Sequence, residues 1–332
     1  MPKSHKARVT GLGSYLPKKI LSNLDLEKLV DTSDEWIYSR TGMRERRIAA
    51  ADEFPSDMGA QAALRALEAA QLKASDIDII LVATMSPDYI SPSTANLIQA
   101  KIQADNAAAM DIQAACTGFL YALSTAKAFI ESGIYQNALV IATEKMSAFI
   151  DYKDRSTCVL FGDGAAAAVV SGKGTGLCID SMCLGSDGQL AALAMIPAGG
   201  SRHPATKETV EQSRHSFKMS GNEVFKHAVR RMSMAARDCL AKAGLKEEDI
   251  SWLIPHQANK RIIDVIAKNF NIDQGQVYLT LHKYGNTSAS SIAIALQELI
   301  QEHQFDEGEH LLLTAFGGGL TWGAAVLTKV IG

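Results

Sequence analysis

Residues 62–88, AALRALEAAQLKASDIDIILVATMSPD, begin with small and apolar residues spaced three and four apart, cross a short polar stretch, and enter the apolar run IILVA. The first spacing predicts an amphipathic helix and the second a buried strand. Residues 235–261, AARDCLAKAGLKEEDISWLIPHQANKR, repeat that plan, with Leu72 answering Leu245, Asp76 answering Asp249 and Ile77 answering Ile250. Farther on, ALVIATEK (138–145) leads to FGDGAAAAVV (161–170), as HLLLTA (310–315) leads to FGGGLTWGAAVL (316–327). Two more helical stretches start near Cys116 and near Ser288. The chain therefore reads as two similar halves, 1–174 and 175–332, dividing at the glycine-rich SGKGTG (171–176).

Helices leading into apolar strands, followed by glycine-punctuated strands, predict a mixed α/β architecture with largely buried sheets. A length of 332 residues is too great for most single cores, which agrees with a duplicated plan. A pseudo-twofold axis between such halves brings matching strand ends and helix starts to one seam. Cys116 opens a helix in the first half, YGNTSAS opens the matching helix in the second, and IPHQAN ends the second-half strand. Cys116, His256 and Asn286 are thereby expected to converge.

Composition narrows the partners. A formal charge of −3 with 47% hydrophobic residues gives no drive toward nucleic acid or an anionic membrane. Five cysteines without a repeated spacing argue for a reducing, cytoplasmic setting. The opening MPKSHKARVTGLGSYLP has no apolar core of a signal peptide, and no run approaches the roughly 18 apolar residues of a spanning helix. GLGSYL (11–16) starts like a dinucleotide fingerprint but lacks its third glycine and runs into Pro17; SGKGTG lacks the rest of a phosphate loop. No metal-ligand set appears at a useful spacing.

Each candidate also has a bland reading. An apolar-flanked cysteine is usually an inert core thiol. At a helix N-terminus, which carries roughly +0.5 charge, the Cys116 thiol is expected to ionise below its usual value, and Gly118 to let a substrate approach the backbone. Cys158, Cys178, Cys183 and Cys239 lack that setting and read as structural. His256, delivered by WLIP to a proline-bent strand end, would look the same as a buried histidine bonded to backbone. Asn286, in KYGNTSAS, fits a turn or helix cap equally well.

AACTGF, PHQAN, YGNTSA and FGGGLTWG, in this order, with VDTSDEWIYSRTGMRERR (30–47) before them, resemble the thiolase-type condensing enzymes and, within these, the β-ketoacyl-acyl-carrier-protein synthase III family. The resemblance spans nearly the whole chain. It implies a five-layered α/β/α/β/α fold from two pseudo-twofold-related halves, a homodimer, and the first condensation of dissociated fatty acid synthesis. In that reaction acetyl-CoA and a malonyl-carrier protein give acetoacetyl-carrier protein, CoA and carbon dioxide. Acetyl-CoA is then a substrate, and neither cofactor nor metal is expected.

On this resemblance Cys116 is the nucleophile, and His256 with Asn286 stabilises the enolate of malonyl decarboxylation. The Cys116 N–H with one from Gly317, Gly318 or Gly319 forms the oxyanion hole. Thr32, Trp36, Arg40 and Arg155 contact the nucleotide of CoA, Trp36 and Arg155 stacking the adenine; Gly221 and Asn259 accompany the pantetheine arm, and Phe316 borders the cavity. Gln257, Ala258, Asn259, Lys260 and Arg261 resemble the carrier-protein docking segment. Without the family, Trp36 reads as a core anchor and Lys260 with Arg261 as a solvated charge pair. Ser91 stands where some relatives place a bulky aromatic that crosses the dimer interface to limit the acyl pocket, so primer length stays open. Residues 201–216 read either as a lid or as a surface loop. An acyl-CoA-primed condensing enzyme of a secondary pathway, or a thioesterase using Cys116 and His256, remains as an alternative.

Overall fold

The computed structural model describes residues 6–331. Its strands, in chain order, are β1 (Arg8–Tyr15), β2 (Lys19–Ser22), β3 (Glu45–Ile48), β4 (Ile79–Ala83), β5 (Ala108–Ile112), β6 (Asn137–Glu144), β7 (Gly164–Ser171), β8 (Gly176–Ser186), β9 (Ala194–Met195), β10 (Lys218–Met219), β11 (Ile250–Pro255), β12 (His310–Gly317) and β13 (Thr321–Val330). Nine of them pair in the order β11-β12-β13-β8-β1-β7-β6-β4-β5.

That order is one pattern used twice. β4 runs parallel to β6, β6 antiparallel to β7, and β7 antiparallel to β1. Likewise β11 runs parallel to β12, β12 antiparallel to β13, and β13 antiparallel to β8. β5 flanks β4 in parallel, and at the corresponding edge Val277 makes a single parallel bridge to Leu253 of β11. The two sets join where β1 meets β8, Arg8 opposite Cys178 and Val9 opposite Leu177.

Alternate strand residues face opposite ways, and this builds the layers. Ile79, Leu81 and Ala83 of β4 pack with helices Gly118–Glu131 and Ser290–Glu302, whereas Ile80 and Val82 share a cluster with helix Pro55–Ala70. In β12, Leu311, Leu313 and Ala315 join the first cluster, while Leu312 packs with helix Gly221–Ala243. The outcome is the five-layered thiolase-like arrangement, with Gly118–Glu131 and Ser290–Glu302 in the middle.

The sequence echo has a local cause. The Asp76 carboxylate accepts the Lys73 N–H at 2.8 Å, closing the turn before β4, and the Asp249 carboxylate accepts the Lys246 N–H at 2.8 Å before β11. Leu72 N–H bonds Leu67 O and Leu245 N–H bonds Leu240 O, both at 3.0 Å, ending the two preceding helices alike. The GLG of β1 is a packing device. A Cβ on Gly11 would lie 2.3 Å from Ala66 O and one on Gly13 2.5 Å from Ala62 O, so glycine lets the Ala-rich helix Pro55–Ala70 sit directly on the strand.

Between β8 and helix Gly221–Ala243 the chain makes an ordered excursion containing the β9–β10 ribbon and helix Lys207–Glu211. Residues 201–216 belong to it, tied by His215 Nε2 to Thr209 Oγ1 at 2.9 Å and by Ala198 N–H to Arg214 O at 3.0 Å. No helix among the described residues is long and apolar enough to cross a membrane.

Candidate active site

Cys116 sits in the 3₁₀ turn Ala115–Thr117, after β5 and directly ahead of helix Gly118–Glu131. His256 follows Pro255, the last residue of β11, and Asn286 lies in the turn preceding helix Ser290–Glu302. The three line one cavity of about 60 Å³, together with Phe316, Gly317 and Gly318. Ala194, Phe217 and Met219 of the excursion complete its wall, whereas residues 201–216 between them are not part of the lining. Ala115 (φ 46°) and Ser288 (φ 52°) are both left-handed, a strained backbone at the two turns that present Cys116 and Asn286.

A Cβ on Gly317 would lie 2.8 Å from the Cys116 nitrogen and 3.1 Å from the Thr117 nitrogen, so glycine is what lets the end of β12 approach these amides. Gly319 is directed toward Thr321 and is absent from the cavity lining. Gly118 also differs from expectation. A Cβ there would meet Ala83 Cβ at 3.0 Å and Ala289 Cβ at 3.4 Å, so its smallness serves packing of the helix start, not access for a substrate.

The thiol departs from expectation in charge. Burial pushes Cys116 up to about 12; Ser288, 3.6 Å away, and the residue's own backbone N–H oppose the rise, while the Glu144 charge adds to it. Cys116 keeps partial exposure, but the protein packed around its sulfur strips solvation from the thiolate, and that loss outweighs the helix end. The thiol is neutral at physiological pH. Burial likewise lowers His256 to about 3, leaving a neutral imidazole.

Hydrogen bonds fix the orientation of both polar partners. Ser291 Oγ accepts the Gln257 N–H at 3.3 Å and lies 2.6 Å from His256 Nδ1; with the hydroxyl as donor to Nδ1, the ring proton resides on Nε2. Asn286 Oδ1 accepts the Ser288 N–H at 2.8 Å, which assigns the amide and leaves Nδ2 as the free end. A neutral thiol, an Nε2–H and an amide N–H₂ thus border one small apolar chamber.

The family description "3-oxoacyl-[acyl-carrier-protein (ACP)] synthase III" matches residues 110–188, and its C-terminal counterpart matches residues 240–329. A β-ketoacyl-[acyl-carrier-protein] synthase III of Chlamydia caviae is 58% identical over 331 residues, covering 99% of each chain. The chain belongs to the β-ketoacyl-[acyl-carrier-protein] synthase III family. The crystal structure of the Aquifex aeolicus 3-oxoacyl-[acyl-carrier-protein] synthase III aligns with a TM-score of 0.89 at 47% identity, over 97% of this chain and 100% of that one. The priming β-ketosynthase of the R1128 polyketide pathway aligns with a TM-score of 0.91 at 37% identity, over 99% and 98%.

In this synthase III chain the expected nucleotide contacts meet around Trp36. The guanidinium carbons of Arg40 and Arg155 each lie 4.9 Å from its ring centroid, and Arg155 Nη1 donates to Asp31 O at 2.9 Å. A base stacked between Trp36 and Arg155 requires about 7 Å, two stacking distances, so Arg155 must swing outward to admit one. Thr32 Oγ1 is buried and has no partner among the described residues. Gly221 begins the helix whose Val224, Ala228 and Met232 line the cavity but is itself exposed. Asn259 caps helix Lys260–Asn269, its Oδ1 accepting the Arg261 N–H at 2.9 Å.

The docking segment divides. Gln257 is fully buried, its Nε2 donating to Pro255 O and Tyr278 O and its Oε1 accepting from Thr280 and Leu281 N–H, so it presents nothing to a partner protein. Ala258 lines the cavity, and Lys260 pairs with both oxygens of Asp264 at 2.7 and 2.8 Å. Arg261 is exposed. Ser91 is exposed on the loop before helix Thr94–Ile102, away from the cavity lining.

Sequence reasoning missed Ser288, Ser291 and Glu144. The two serines stood inside a stretch read as turn and cap. Glu144 closes the apolar strand β6 and is fully buried; a lone carboxylate ending such a run was the available signal.

Proposed function

We propose that this chain joins acetyl-CoA to malonyl-[acyl-carrier protein] as the initiating condensing enzyme of type II fatty acid synthesis. The carrying observation is that Cys116, His256 and Asn286 line one cavity with their donors oriented. Cys116 sulfur attacks the acetyl thioester, the carbon–sulfur bond to CoA breaks, and an acyl-Cys116 remains. The cavity of about 60 Å³ favours a short primer. At the tetrahedral stage the Cys116 N–H and an N–H of the Gly317–Gly318 segment face the developing oxyanion; losing one such donor costs about 3–4 kcal/mol. In the second half-reaction the malonyl carbon–carbon bond breaks, carbon dioxide leaves, and the enolate oxygen takes hydrogen bonds from His256 Nε2–H and Asn286 Nδ2–H. The enolate carbon then attacks the acyl group and expels Cys116.

Exposed Arg261 beside this cavity suits an acidic carrier protein. We assign a second copy of the chain as partner at the free edge of β5, where Ala108 and Met110 are exposed. The adjoining loop, tied to that strand by Thr94 N–H on Asp111 at 2.8 Å, exposes Tyr89 (61%) and Ile90 (92%). Five unpaired cysteines suit the cytoplasm.

The priming role of the R1128 relative supports a second reading, condensation in a secondary pathway from another acyl-CoA. Intact-mass measurement after incubation with acetyl-, longer and branched acyl-CoAs separates the two by which primer loads Cys116. Cys116→Ala is expected to stop condensation while retaining some malonyl decarboxylation, and His256→Ala to lose decarboxylation. Absence of any adduct ends the acyl-enzyme reading, and free acid released without malonyl donor turns it to a thioesterase.

A further inference from the structure

The mechanism above leaves one buried ionisable group unused. The Glu144 side chain is fully buried, and among the described residues no cation pairs with it. Instead it collects donors: Thr84 Oγ1 at 3.3 Å, Met85 N–H at 3.2 Å, Ser86 Oγ, the Ala289 N–H, and Ser288 Oγ at 2.9 Å. The hydroxyls are directional. Thr84 Oγ1 accepts from Ser86 N–H and Ser86 Oγ from Lys145 N–H, and each gives its hydrogen to the ionised carboxylate, which has none to donate. Ser288 Oγ gives its hydrogen to Glu144 Oε1 and receives the Cys116 S–H, 3.6 Å away.

With the Ser291 hydrogen on Nδ1, His256 carries its ring proton on Nε2 and offers no lone pair to that thiol. From this geometry we propose that Glu144, acting through the Ser288 hydroxyl, accepts the Cys116 proton during acyl loading and returns it when condensation expels the thiolate. This rests on the reading of Cys116 as nucleophile.

The steps balance. As the sulfur–carbon bond forms, the S–H proton passes to Ser288 Oγ and the Ser288 proton passes to Glu144 Oε1; the bond to CoA then breaks, and the departing CoA thiolate takes a proton from solvent. In condensation the enolate carbon bonds the acyl carbon, Cys116 leaves as thiolate, and Glu144 reprotonates it through Ser288. The net reaction takes up one proton, which ends on CoA. The left-handed φ of 52° at Ser288, held by the Asn286 carbonyl, sets that hydroxyl between sulfur and carboxylate. Burial raises Glu144 to about 7 against the pull of its five donors, which places it where a proton can be both taken and returned. The ionisable group facing it is the Cys116 thiol; Lys145, next in the chain, turns its ammonium to the carbonyls of Ala50, Ala51 and Glu53.

Glu144 touches no reacting atom, so the test needs a readout beyond loss of rate. Carbamidomethylation of Cys116 by iodoacetamide and single-turnover acetyl transfer from acetyl-CoA are followed by intact mass from pH 5 to 9. In the wild type both rates are expected to rise through an inflection near 7. Glu144→Gln should slow both about 100-fold at pH 7 and abolish that inflection. Ser288→Gly, which suits the left-handed backbone, should do the same with Glu144 intact, and it decides the matter if Glu144→Gln does not fold. Wild-type rates and an unshifted inflection in a folded variant overturn the relay. A wild type that takes up no acetyl group fails the nucleophile reading instead.

Discussion

Ser291 Oγ lies 2.6 Å from Nδ1 of His256, and as a donor there it favours the Nε2–H form of the imidazole. That form donates to an enolate oxygen, whereas the other tautomer presents a lone pair and repels it. Ser291→Ala is therefore expected to slow malonyl decarboxylation about 10-fold or more, while acyl loading of Cys116 stays within about 2-fold of wild type. Carbon dioxide release and intact-mass loading, measured side by side, check the split. Equal loss in both would show that Ser291 only packs.

Gly317 faces the Cys116 amide so closely that a methyl there meets it at 2.8 Å. Both sides of the contact are backbone, so neither yields cheaply. Gly317→Ala is expected to cost about 1–3 kcal/mol of stability through overpacking. Displacing the Cys116 N–H should also lower acetyl transfer about 100-fold. Thermal melting and single-turnover loading check the two effects separately.

The repeated order of strands was legible because each half carries its own Leu-Lys-x-x-Asp-Ile turn, and Asp76 and Asp249 close those turns in the same way. That Cys116, His256 and Asn286 would share one cavity was legible because a duplicated fold brings the ends of repeated elements together, whereas their chemical roles rested on the resemblance of their motifs. Electrostatics were not. The helix-end argument for Cys116 was local, whereas the dominant cause is burial by elements far apart in sequence. Gln257 misled in the same way: a polar residue beside Lys260 and Arg261 looks surface-bound until Thr280 and Leu281 are found bonding to it. The carboxylate of Glu144 acquires meaning only when Ser288, 144 positions later, closes on it.

The guanidinium carbons of Arg40 and Arg155 each lie 4.9 Å from the Trp36 ring centroid, so the indole is the shared face of this cluster. Removing the indole removes a stacking face and leaves the reacting groups untouched. Trp36→Ala is expected to raise KM for acetyl-CoA about 5- to 10-fold, an effect near 1 kcal/mol, with kcat little changed. Steady-state kinetics with acetyl-CoA varied checks this, and a fall in kcat at unchanged KM would assign Trp36 a different role.

His256 is neutral in the folded protein and held near 3, below the value of 6.5 it has when exposed. The unfolded chain then binds the proton more readily, so stability from this group is complete above pH 6.5 and is lost as pH falls toward 3. His256→Gln removes the titration. Melting curves are expected to show the wild type losing stability relative to this variant between pH 6.5 and 4, at up to about 1.4 kcal/mol per pH unit. Parallel curves would show that the imidazole is more solvated than its surroundings imply.

Glu144 has the opposite sign. Its carboxyl is raised from 4.5 to about 7, so the folded state holds the proton more tightly than the unfolded one. Stability from this group is present below pH 4.5, declines as pH rises from 4.5 through 7, and is absent above that range. A neutral amide of the same shape carries no such cost, since its carbonyl oxygen would still accept from the Met85 and Ala289 amides and the three hydroxyls can turn. Glu144→Gln is therefore expected to match the wild type in melting temperature near pH 4.5. Above pH 7 it should be more stable by roughly 3 kcal/mol, the difference growing at up to about 1.4 kcal/mol per pH unit between 4.5 and 7. A buried charge retained against stability is what a proton acceptor for Cys116 requires, and a variant that is both more stable and slower to load acyl groups would separate the two demands. A variant less stable than wild type at pH 8 would mean that the five hydrogen bonds of Glu144 outweigh its desolvation.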